Sequence, residues 1–165
     1  MTPGVERARR VGIVVALVAA GLLAAGAIVP RWWTGNAHGV DEGVGLRGVE
    51  LCAREGCSSR GLGDLGSGSK SWPLLGATGF AVSWVAAAFL VAAVVMSARR
   101  IAPAWRVRVA RAAAAFSLFA LVVGVAFVAT YPGFSGLGIG WALVAYHLGA
   151  VLGTGTGAML LARSP

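Results

Sequence analysis

Four long stretches without a charged side chain set the limits on what this chain can fold into. Val11 to Val29 is 19 residues of uncharged sequence, about 28 Å as a helix, enough to cross a bilayer core. Pro73 to Ser97 is a second such stretch, Ala112 to Thr130 is the centre of a third, and the fourth runs from about Leu137 to Ala162. The chain is 58% hydrophobic before its 25 glycines are counted, and 12% of its residues are charged, about half the share of a soluble domain. A soluble fold of 165 residues has too little interior for that much apolar surface. An integral membrane protein is the expected class. Each span is expected to be helical, because a helix satisfies its own backbone groups in lipid.

The formal net charge is +8, which in a soluble protein would raise nucleic acid as a partner. Its distribution points elsewhere. Arg7, Arg9 and Arg10 precede the first run, Arg99, Arg100, Arg106, Arg108 and Arg111 cluster between the second and third, and Arg163 is at the tail. The loop from Pro30 to Trp72 carries Arg31, Arg47, Arg54, Arg60 and Lys70 against Asp41, Glu42, Glu50, Glu55 and Asp64, so it is neutral. The net charge sits on one side of the membrane, the positive-inside pattern, and nucleic acid is not expected as a partner. The expected topology is one membrane domain with spans at about 11–29, 73–97, 110–131 and 137–162. Loop 30–72 is outside the cytoplasm, basic loop 98–109 is inside, turn 132–136 is outside, and both termini are cytoplasmic in the plasma (inner) membrane. The first run is longer than a signal-peptide core, so an uncleaved first span is expected.

Trp32, Trp33, Trp72, Tyr131, Phe134 and Trp141 fall at the outer ends of the spans, and Trp105 in the inner connector. Amphipathic aromatics favour that depth, so they read as interfacial anchors. In the long loop, Val44 and Leu46, then Val49 and Leu51, alternate with a slip near Gly48, which suggests strands with a bulge. Arg54-Glu55-Gly56 reads as a turn between two strand ends. Gly61 to Ser71, rich in Gly and Ser, reads as a mobile linker.

Both cysteines of the chain, Cys52 and Cys57, flank that turn. An even count outside the cytoplasm favours a structural disulfide. A redox pair is the sharper alternative, but Cys-x-x-Cys spacing and further cysteines are absent from the sequence. A metal site would need two more ligands, and His38 is the only nearby histidine, so no cofactor or metal is expected.

Four spans, a long first outer loop and a short second one, with a tryptophan followed by Gly-Leu and two cysteines, resemble the claudin superfamily of tetraspan proteins. That group includes the claudins, the peripheral myelin proteins and the calcium-channel gamma subunits. Its signature is Trp, then Gly-Leu-Trp, then Cys and Cys. Here Trp32, with Trp33 as the alternative, stands for the first tryptophan. Gly45-Leu46-Arg47 stands for Gly-Leu-Trp, and Cys52 and Cys57 stand for the pair. Arg47 replaces the motif's second tryptophan, and the two cysteines are closer together than in the family pattern. The resemblance implies an all-α membrane protein, a left-handed four-helix bundle capped by a small antiparallel β-sheet with the disulfide between neighbouring strands. It also implies sealing, pore-forming, adhesive or accessory roles, and fold does not choose among them. Lys70 is the only lysine among fourteen basic residues, as in a GC-rich bacterial genome, where lateral assembly outweighs an epithelial seal.

Small residues recur every four positions at Ala145, Gly149, Gly153 and Gly157, at Gly12, Ala16, Ala20 and Ala24, and at Gly79, Ser83 and Ala87. Such ridges let helix backbones approach in lipid. The plainer reading is contact within the chain's own bundle; a ridge facing a partner helix is the other. Catalysis finds little support. The uncharged runs hold no Asp, Glu, Lys or Arg, which pumps and coupled transporters usually carry. His147 is their only histidine and reads best as a neutral, hydrogen-bonded one. No phosphate loop, zinc motif or nucleophile elbow is present. The expectation is a non-enzymatic accessory or structural subunit, associating laterally with itself or a larger membrane complex, with cell contact a further role. The alternative is a pore whose selectivity comes from loop charges such as Asp41 and Glu42.

Overall fold

A computed structural model of the chain describes residues 3–37, 39–65, 71–99, 102–134 and 136–162. His38, Lys70, Arg100 and Arg163, singled out above, lie outside the described residues. Four helices carry the fold: α1 (Pro3–Ile28), α2 (Ser71–Ala98), α3 (Pro103–Ala129) and α4 (Trp141–Ala162). Three are long and apolar enough to cross a membrane, over Arg9–Ile28, Ser71–Ala98 and Ala104–Ala129. The fourth has 22 residues, about 33 Å at about 1.5 Å per residue. α1 packs along α2 and α4, and α3 along the same two neighbours, so the helices form a ring with α2 and α4 across a diagonal.

Local chemistry sets the helix ends. Pro30 stops α1, because the residue before a proline is driven out of the helical region. Pro103 opens α3, where its missing N–H has no intrahelical partner to lose. At the end of α3, the Thr130 hydroxyl donates to the Ala126 carbonyl at 2.8 Å, just before Pro132-Gly133. The start of α4 is capped from a distance: the Gly140 N–H donates to the Trp32 carbonyl at 2.7 Å, and the Ala142 N–H to that of Arg31 at 3.3 Å.

Between α1 and α2 the chain forms strands β1 (Trp33–Ala37), β2 (Val40–Val44), β3 (Gly48–Ala53) and β4 (Gly56–Gly61). A short β5 (Gly138–Ile139) lies between α3 and α4. The sheet is antiparallel in the order β4-β3-β2-β1-β5. It caps the end of the bundle where α1 and α3 finish and α2 and α4 start. Arg7, Arg9, Arg10, Arg99, Arg106, Arg108 and Arg111 all lie toward the other end. The two ends of the molecule therefore differ in charge as the sequence implies.

Several boundaries differ from the sequence reading. The basic connector expected over 98–109 is mostly helix, because α3 starts at Pro103 and takes Arg106, Arg108 and Arg111 onto its first turns. The fourth helix begins at Trp141, since Gly138–Ile139 pair with Trp33 and Thr34 instead. The slip near Gly48 is not a bulge. Gly45-Leu46-Arg47 is the connection of a β2–β3 hairpin, closed by the Gly45 N–H donating to the Gly48 carbonyl at 2.9 Å. Gly61 to Leu65 is ordered as the end of β4 and a 3₁₀ turn that buries Leu62; residues 66–70 of the expected linker lie outside the described residues.

Candidate interaction surface

The sheet stands on an aromatic base. Trp32 and Trp72 are fully buried and Trp33 nearly so, so the sequence expectation that they anchor at a lipid interface is corrected. The strands and the β5 segment cover the helix ends, and apolar rings under that cover gain more by packing than by lying at an interface. Trp72 stacks on Phe127 with centroids 4.9 Å apart, and Trp33 stacks on Tyr131 at 4.0 Å. Trp32 meets Phe127 edge-on at 5.4 Å and lies 4.9 Å from Tyr146. Both buried indoles are satisfied: Trp32 Nε1 donates to the Gly26 carbonyl at 2.6 Å and Trp72 Nε1 to that of Phe127 at 3.2 Å. Burial, first of all, raises the Tyr131 phenol above its ordinary range, with the Glu42 charge a smaller cause in the same direction. Trp141 and Trp105 stand exposed at opposite ends of the bundle.

The three residues of the β2–β3 turn, Gly45, Leu46 and Arg47, have separate tasks. Gly45 passes so close to Pro30 that a Cβ there would stand 2.7 Å from the proline Cα. Leu46 is buried and reaches α2 at Gly79, where a Cβ would meet its Cδ2 at 3.3 Å. Arg47 is exposed and lays its guanidinium over the Phe80 ring at 5.2 Å from the centroid. That cation–π contact is worth about 0.5–1 kcal/mol at an exposed site.

The free end of the sheet is the β3–β4 hairpin. Arg54-Glu55 is its two-residue turn, and Gly56 leaves it at φ +141, a conformation side chains rarely adopt. Cys52 and Cys57 are disulfide-bonded and directly opposite in the register. Glu50 lies beside the pair, but sulfurs bonded to each other are not thiolate ligands, so this group does not make a metal site. All six residues of β4 are exposed, and its outer edge pairs with no strand among the described residues. The other edge, β5, offers only two residues.

Asp41 and Glu42, the loop charges named for the alternative of a pore, are consecutive in β2 and so point to opposite faces. Asp41 is exposed and accepts a hydrogen bond from Asn36 Nδ2 at 2.6 Å. Glu42 shares its face with Val44, toward the aromatic base.

The ridge of α4 turns inward. A Cβ on Gly149 would stand 2.7 Å from the Leu23 nitrogen of α1. One on Gly153 would stand 2.5 Å from Ser117 Oγ of α3, and one on Gly157 would stand 2.7 Å from Ala114 Cβ. Ala16, Ala20 and Ala87 are likewise buried in the bundle, so these small residues serve packing within the chain. His147 donates from Nδ1 to the Leu143 carbonyl at 2.8 Å, with its ring 5.6 Å from that of Trp32. Tyr146, which the sequence did not single out, is fully buried and donates from its hydroxyl toward the Gly79 and Ala120 carbonyls, at 3.2 and 3.1 Å. A lone tyrosine in a long apolar run carries no local signal of such a role.

Compared with family models and with curated proteins, the sequence matches none.

Proposed function

We propose that the chain is a four-span, claudin-like integral membrane protein that acts as a non-enzymatic structural or accessory subunit. Both termini are then cytoplasmic and the sheet projects outside, as the arginine distribution favours. The observation that carries the accessory role is the β3–β4 hairpin: an exposed edge strand, pinned by Cys52–Cys57, on a sheet locked to the bundle by buried tryptophans. A free strand edge on a rigid base is a ready template for another chain. The α4 glycine ridge is used internally, so association runs through this outer surface and the lipid-facing helix sides.

A photo-reactive side chain placed at Ser59 of β4, with Val122 on the exposed face of α3 as comparison, tests this in native membranes. Ser59 is expected to give a discrete cross-linked species, and mild-detergent extraction is expected to yield a mass above that of the monomer. A monomer in both measurements overturns the accessory reading. A pore is the competing class, and the opposite orientations of Asp41 and Glu42 do not favour it.

A further inference from the structure

The face between α1 and α2 holds an apolar groove of about 760 Å³. Its walls are Leu17, Gly21 and Ala24 from α1 and Ala88, Val91 and Val95 from α2; Trp84 closes one end and Arg99 stands at the other. From Trp84 to Arg99 the groove runs along 15 residues of α2, about 22 Å. That matches one leaflet with its headgroup layer, about half of the 40–45 Å total. Trp84 is near the middle of α2 (Ser71–Ala98), so the α2 wall of the groove lies in the half of that helix at the arginine end, while its α1 wall, Leu17 to Ala24, lies past the middle of α1.

The mouth is cationic. Arg9 crosses from α1 and donates to the Ser97 carbonyl at 2.6 Å, which satisfies an open carbonyl at the end of α2. Arg10 lies seven residues before Leu17 and fourteen before Ala24, on the stripe that lines the groove. Glu6 is the only acid at this end of the sequence, and it is paired with Arg10 at 2.7 Å. Three arginines therefore face one carboxylate.

We propose that this groove is a binding site for an anionic phospholipid, one acyl chain lying along Gly21 and Ala88 toward Trp84 and the phosphate held at Arg99 and Arg10. A transmembrane partner helix would want a seam the full depth of the bilayer, whereas Trp84 closes the α2 wall of this groove near the middle of that helix. A cationic mouth at headgroup depth is redundant for a helix and complementary to a phosphate. The inference rests on the membrane-spanning reading and is independent of the accessory role.

Phosphatidylglycerol and phosphatidylcholine, mixed in equal amounts with the detergent-purified chain, can be compared by lipid retention in native mass spectrometry. Phosphatidylglycerol is expected to be retained preferentially, and Arg99→Gln to reduce the preference roughly fivefold. Gly21→Leu is the second variant: a Cβ at Gly21 meets nothing within 4 Å, so leucine there fills the groove without disturbing the bundle. It is expected to abolish retention while the melting temperature holds. Equal retention of the two lipids, or retention unchanged in Gly21→Leu, overturns the proposal. A dimer that Gly21→Leu dissociates also overturns it, by assigning the groove to a second copy.

Discussion

The indole of Trp32 donates to the carbonyl of Gly26 at 2.6 Å, folding the exit of α1 back onto its own last turn. Gly26 is itself pressed against α4, where a Cβ would stand 2.7 Å from the Tyr146 nitrogen. One tryptophan thus closes a helix end, seats the sheet and marks where α1 meets α4. Trp32→Phe keeps a ring in the cluster but orphans a buried carbonyl, at a cost of about 1–3 kcal/mol. Trp32→Ala removes the ring as well and costs about 3–5 kcal/mol. Melting in detergent should order wild type above Phe above Ala, and equal melting of wild type and Phe would show that the hydrogen bond contributes nothing.

Gly153 and Ser117 form the tightest test of the internal ridge. The Ser117 hydroxyl is buried with no hydrogen-bond partner among the described residues, and a Cβ on Gly153 would stand 2.5 Å from it. Gly153→Ala overpacks the α3–α4 contact by about 1–3 kcal/mol. Ser117→Ala removes the obstructing atom and is expected to be neutral or slightly stabilising. The double variant should recover most of the loss, and additive penalties in the melting temperatures would refute the contact. None of the three should change the oligomeric mass, because this ridge faces inward.

How much of this was legible follows from which physical signals are local. The uncharged runs and the arginine distribution were readable because each is a property of one segment. The turn at Arg54-Glu55 and the Cys52–Cys57 pair were readable for the same reason: both partners lie within a few residues. The aromatic base was not. The preference of tryptophan for interfaces describes a ring with lipid on one side, and only tertiary structure puts a sheet over Trp32, Trp33 and Trp72. Gly138–Ile139 was absorbed into the fourth apolar run for a similar reason, since its strand identity depends on Trp33 and Thr34, about a hundred residues earlier. The spacing of Gly149, Gly153 and Gly157 showed that a helix would approach closely, but not whose.

Tyr146 ties three helices through one hydroxyl, reaching from α4 to carbonyls of α2 and α3. Both acceptors sit within helices, so the bond adds to ladders that are already made. Tyr146→Phe should therefore cost only about 0.5–2 kcal/mol, as interhelical polar contacts in membranes do. Tyr146→Ala opens a cavity beneath Trp32 and beside Gly124, and should cost about 3–5 kcal/mol. A Phe variant as damaged as the Ala variant would mean that the hydroxyl, not the ring, holds the bundle.

The disulfide acts locally. Cys52 and Cys57 close a loop only five residues apart, for which the chain-entropy estimate is about 2 kcal/mol. The rest of the sheet stands on buried tryptophans, so Cys52→Ser and Cys57→Ser should leave the helical content and the melting of the bundle nearly unchanged. The loss should appear as opening of the β3–β4 hairpin. Trypsin then gains access at Arg54 and Arg60, both exposed, and cleavage there should rise roughly tenfold or more in either variant or after reduction. Cross-linking from Ser59 should fall in parallel, because the strand edge is no longer held in one geometry. If cleavage stays at the wild-type rate while the bundle melts early, the bond staples the whole fold and not the hairpin alone.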